Sequence, residues 1–173
     1  MKIESPEYAQ SDLTTFLDEM QGHDQQVLAD RLQRASQRLA EMAPRVTAAR
    51  GGGDEWSAVE VLAHIAGLSK FYGVVVHRMV SGKMTDLNLL IQAAQMRDGS
   101  IDEMAGQEPR ELLRMTLADH ERTIKELRSA DAAALRRAAP LPEGGSMTAE
   151  EVARLPLISH IEMHLDQLEK SLG

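Results

Sequence analysis

Three histidines carry the chemistry that this sequence can be asked about. His160 and His164 stand four residues apart in Leu157-Ile158-Ser159-His160-Ile161-Glu162-Met163-His164-Leu165. On a helix that spacing puts two imidazoles on one face, about one turn apart, where they can chelate a metal ion. Helical surfaces also carry spaced histidines by accident, so the pair alone is a weak signal. His64 strengthens it. It lies three after Val61 and four before Leu68, as His164 lies three after Ile161 and four before Leu168. Both histidines therefore have the same phase on the shoulder of an apolar stripe, where a side chain can reach a cavity that admits solvent. Three neutral imidazoles from two helices leave metal positions open, the pattern of a reactive site rather than a closed structural one. All-nitrogen ligation suits a divalent transition metal, with Zn or Ni favoured and Cu or Fe also compatible. Glu60, four before His64, is a candidate fourth ligand. It is equally the capping-box partner of Ser57.

The elements that must position these residues read as helices. The first, from Asp24, carries Leu28, Leu32, Ala35, Leu39 and Met42 and ends at Pro44. A preceding amphipathic stretch covers residues 7–21. The second starts at Ser57, runs along Val61, Ile65, Leu68, Tyr72, Val75 and Met79, and stops at Gly82. A short amphipathic helix is expected around Asp86–Met96. The third long helix opens at Pro109 with Leu113, Leu117, His120, Ile124 and Leu127 inward. The fourth follows Thr148, with Glu151 completing a capping box, and Pro156 kinks it or splits off its first turn. No strand signal is visible, and residues 131–147 read as a linker rich in Pro and Gly. The fold class is all-α, a four-helix bundle in one domain over residues 1–173.

Depth along the bundle constrains topology. His64 is ~10 Å from the start of its helix and His164 ~11 Å from the end of its own. These levels match only if the two helices run antiparallel. That requires up-down-down-up order with a long crossover between the second and third helices, and residues 83–108 are long enough to supply one.

Composition sets limits on function. With 173 residues, 43% hydrophobic but only 3% aromatic, and ten Met, the core is aliphatic and Met-filled. A formal net charge of −8 argues against nucleic-acid or anionic-membrane partners. Arg31, Arg34 and Arg38 form a small basic ridge that reads as a solvated face. The absence of Cys removes disulfides, thiolate metal sites and a Cys nucleophile. No apolar leader and no run approaching ~20 apolar residues is visible, so a cytoplasmic protein is expected. His120, in the centre of its stripe, reads as a hydrogen-bonded core histidine, and His77 and His23 as surface residues. Trp56 and Met79, Met84, Met96 and Met104 could line a pocket but suit core packing. A ferritin-like di-iron site lacks its Glu-x-x-His pairs, and no nucleophile elbow supports a Ser hydrolase.

Two stretches carry a family resemblance. Trp56-Ser57-Ala58-Val59-Glu60-Val61-Leu62-Ala63-His64-Ile65 resembles the opening of the second helix in the DinB/YfiT-like superfamily. Ser159 to Leu168 resembles its C-terminal H-x-x-x-H segment. The resemblance implies an up-down-down-up four-helix bundle, a homodimer, and a metal held by His64, His160 and His164. It implies a small-molecule substrate and a low-molecular-weight thiol co-substrate such as bacillithiol or mycothiol, hence a thiol S-transferase-like enzyme. A metal-dependent hydrolase and a non-catalytic dimeric metal-binding or stress-response bundle are the alternatives. Pro156 and Asp166 depart from the family's usual residues without removing a ligand.

Overall fold

A computed structural model describes residues 25–49, 56–88, 103–142 and 144–173. Four long helices dominate. Helix α1 spans Gln25–Met42 and is followed by a 3-10 turn at Ala43–Arg45. Helix α2 spans Ala58–Val80, and α3 spans Pro109–Ser129. A short α4, Ala132–Leu135, leads to strand β1, Ala138–Pro140, and strand β2, Ser146–Thr148. Helix α5, Ala149–Val152, passes through a π-helical stretch, Ala153–Ser159, into α6, His160–Leu172.

Local chemistry accounts for most boundaries. The Ser57 amide and hydroxyl both donate to Glu60 Oε2, at 2.8 and 2.5 Å, which fixes the start of α2. Gly82 adopts φ 70° just past its end, a conformation that favours glycine. Pro109 opens α3 with a fixed φ and no amide to satisfy. Thr148 and Glu151 form the second expected box, with the Thr148 amide donating to Glu151 Oε2 at 2.6 Å.

The core is aliphatic, as the composition requires. All five stripe residues of α1 are buried, and so are Val61, Ile65, Leu68, Val75 and Met79 of α2. Helix α3 departs from expectation. Leu113 and Leu117 are only half-buried; Leu112, Thr116, His120, Thr123, Ile124 and Leu127 face inward. Hydrophobicity misplaces the phase because two inward positions are threonines. Each satisfies its hydroxyl on its own helix: Thr116 donates to the Leu112 carbonyl at 2.7 Å and Thr123 to that of Asp119 at 3.1 Å.

Side-chain pairs align the helices. Arg31, Arg38 and Arg45 of the first segment meet Glu162, then Asp166 and Glu169, then the Leu172 carbonyl, in rising order on both chains of residues. The expected basic ridge is thus a seam against α6 rather than a solvated face, although Arg34 stays exposed. Ser36 and Asp30 of α1 meet His120 and Arg128 of α3 in opposite order. Ser69 and His77 of α2 meet His120 and Glu126 in the same order.

Three further expectations are corrected. The linker contains an antiparallel hairpin, with Ala138 opposite Thr148 and Pro140 opposite Ser146. Its strands are three residues each, too short for an alternation signal, and Gly144 and Gly145 turn the chain with φ 101° and 78°. Residues Asp86–Asn88 do not begin a helix: Asp86 Oδ1 accepts from the Asn88 amide at 3.1 Å, a side-chain turn that competes with helix. The rest of that expected helix, like the stretch 7–21, lies outside the described residues. Finally, α2 is long and apolar enough to cross a membrane, contrary to the reading of its composition, but 61% of its most apolar window is buried among the other helices, as in a core helix.

Candidate metal centre

Helices α2 and α6 bring His64, His160 and His164 together. One ring nitrogen from each lies within 4.8 Å of the others. Ring centroids stand 4.4 Å apart for His64 and His164, 4.8 Å for His160 and His164, and 5.4 Å for His64 and His160. Among the described residues this is the one such cluster of three or more metal-type side chains. The shoulder positions prove deeper than the pattern implies: His164 is 0% exposed, His64 3% and His160 9%. Trp56 explains part of this. Its ring lies 4.8 Å from that of His64 and 5.9 Å from that of His164, a wall over the cluster.

The backbone before His160 is unusual. Pro156 has no amide, and its ring would clash with the carbonyl four residues back in a regular α-helix. The chain responds by widening to π geometry, with the His160 amide reaching the Leu155 carbonyl five residues back. The expected kink is therefore an enlarged turn, and it sets the phase with which His160 and His164 enter α6.

Two contacts brace the site from outside. Arg31 grips Glu162 through Nε and Nη2, at 3.2 and 2.5 Å, and donates from Nη2 to Ser159 Oγ at 3.1 Å. The guanidinium thus holds residues on both sides of His160. On α6 itself, His164 Nδ1 lies 2.8 Å from Gln167 Oε1. Neither contact follows from the histidine spacing. Gln167 lies three after His164, on the same face, which is the one signal available in the sequence; Arg31 has none.

The remaining candidates fall elsewhere. The Glu60 carboxylate is engaged in the cap of α2 and is not part of the cluster. His120 is a core residue, 1% exposed, with Nδ1 2.8 Å from Ser36 Oγ and Nε2 2.8 Å from Ser69 Oγ. Burial pushes its pKa from 6.5 down to about 4, so it is neutral at physiological pH. His77 is exposed and meets Glu126 at 3.1 Å. Met79 is buried, and Met84 and Met104 pack against the core. His23 and Met96 lie outside the described residues.

The donor set fits a divalent transition metal on chemical grounds. It offers three imidazole nitrogen donors, buried and already brought together. Nitrogens around a tetrahedral metal stand roughly 3.4 Å apart, given metal–nitrogen bonds of about 2.1 Å. The limit of 4.8 Å on the observed spacing is wider than that value.

Comparison with known proteins gives two likenesses. The profile of the DinB superfamily matches residues 26–168. The crystal structure of a mycothiol-dependent maleylpyruvate isomerase superposes with a TM-score of 0.66 at 14% sequence identity. The alignment covers 84% of this chain but 61% of that protein, so the chain spans about three-fifths of the isomerase's length. No curated protein matches the chain.

Proposed function

The chain belongs to the DinB superfamily, and on that premise we propose that it is a metal-dependent enzyme whose metal is held by His64, His160 and His164. The observation that carries this reading is the convergence of three buried imidazoles from two helices. Bound there, a zinc- or nickel-type ion would supply Lewis-acid chemistry, lowering the pKa of a bound thiol or water. The chain's own residues do the rest. The Trp56 ring packs against His64 and His164, both of which are buried. Arg31 fixes the first turn of α6 and with it His160, the most accessible of the three. Because the chain has no Cys, any thiol that reacts comes from a co-substrate. A small-molecule thiol is the co-substrate class this reading favours, with support from the thiol dependence named for the similar isomerase.

The reading includes one domain over residues 1–173 in a four-helix bundle of up-down-down-up order. Support comes from the paired contacts: α1 and α6 rise together, as do α2 and α3, while α1 and α3 oppose each other. It also includes a cytoplasmic homodimer without nucleic-acid or membrane partners. The near-complete burial of the three histidines favours one alternative, a non-catalytic bundle in which the metal serves stability alone. Reconstituting the protein with Zn or Ni and assaying thiol consumption against electrophiles, with esters in parallel, separates the possibilities. Thiol turnover that disappears in His160→Ala supports the transferase. Ester turnover alone moves the assignment to a hydrolase. No turnover in a metal-loaded protein leaves the stabilising role.

A further inference from the structure

We propose that Gln167 sets the tautomer of His164 and so decides whether Nε2 of that ring presents a lone pair or an N–H; the inference rests on the metal-centre reading above. The side chains stand three apart on α6 and therefore share a face. Gln167 Oε1 lies 2.8 Å from His164 Nδ1. A carbonyl oxygen can only accept, so the proton sits on Nδ1 and the Nε2 lone pair is available to a ligand. The opposite arrangement, with the glutamine amide donating to Nδ1, would place the proton on Nε2 and turn a donor atom into an N–H. The choice matters because His164 is fully buried, with no bulk water at the ring to exchange one tautomer for the other cheaply. Gln167 is itself half-buried, at the edge of the site, where the contact is shielded without the amide being sealed in.

Gln167 is thus a positioning residue: it touches neither metal nor substrate but orients a ring that does. A carboxylate could serve the same end, since it too only accepts, and an apolar side chain could not.

The test reads the tautomer and the metal separately. Ring nitrogen chemical shifts of His164 in the metal-free protein report which nitrogen is protonated. The wild type is expected to show Nδ1–H, Gln167→Leu a mixture of tautomers, and Gln167→Glu a return to Nδ1–H. Zinc affinity by chelator competition is expected to fall roughly 10- to 100-fold in Gln167→Leu and to recover in Gln167→Glu. An Nε2–H tautomer in the wild type, or a Gln167→Leu affinity within about twofold of wild type, would overturn the proposal. If wild type binds no zinc at all, the metal-centre reading fails, and the shifts still decide the role of Gln167.

Discussion

His120 and Arg31 show how single side chains hold this structure. His120 ties three helices by one ring, since Ser36 lies on α1, Ser69 on α2 and His120 on α3. Each serine oxygen also lies within reach of a carbonyl of its own helix, Leu32 at 2.8 Å and Ile65 at 2.7 Å. With one N–H on the neutral ring, one serine accepts from it and keeps its own proton on its helix carbonyl, while the other donates its proton to the ring. The unfolded chain takes up a proton on His120 near pH 6.5, whereas the folded protein resists until about pH 4. The unfolded state therefore binds more protons across that window, and stability falls as pH falls through it, by about 3 kcal/mol at full extent. His120→Gln should flatten that dependence; denaturant unfolding at about pH 7 and pH 5 measures it. An unchanged slope in the variant would assign the pH dependence to other groups. Arg31→Ala should cost about 1–2 kcal/mol through loss of a partly buried bidentate contact, whereas Arg38→Ala, at a more exposed pair, should cost under about 1 kcal/mol. The bringing together of His64, His160 and His164 is readable in the sequence because equal phase on two stripes is a geometric statement. Arg31 is not readable, because its partners lie more than a hundred residues away and only the packed seam brings them together.

Helices that pack this closely depend on small residues at particular levels. A Cβ on Gly73 would stand 2.8 Å from Thr123 Oγ1, whereas one on Gly67 would meet Met104 Sδ at 3.7 Å, an ordinary contact. Gly73→Ala should therefore destabilise by about 1–3 kcal/mol through overpacking of α2 on α3. Gly67→Ala should be neutral or gain up to about 1 kcal/mol from helix propensity. Thermal melts of the two variants make the comparison, and equal effects would mean that the α2–α3 approach is looser than described. At this scale the helix starts at Ser57, Pro109 and Thr148 are legible because capping chemistry is local. The inward face of α3 is not, since Thr116 and Thr123 occupy core positions by bonding to their own backbone. The hairpin escapes for a different reason: its pairing is set by two glycines at positive φ, not by any pattern within the strands. Pro156 signals a disturbance, but only the surrounding packing selects a π-helical turn over a break.

For the whole molecule, a metal bound at the histidine cluster couples folding to loading. A ligand that binds only the folded state stabilises it by about 2.7 kcal/mol at a hundred times its dissociation constant. Zinc or nickel addition should thus raise the unfolding temperature by several degrees, and a strong chelator should reverse the shift. Topology belongs to the same scale. The depth of His64 and His164 on their helices makes antiparallel α2 and α6 the arrangement in which one site can form, so the site requires that chain order. The most direct measurement is the metal content of untagged protein, purified as wild type and as His64→Ala, His160→Ala and His164→Ala, with folding checked by circular dichroism. The account predicts about one bound transition-metal ion per chain in wild type and less than about a tenth of that in each variant. Metal content that is negligible in wild type after zinc or nickel reconstitution, or that survives all three substitutions, would contradict it.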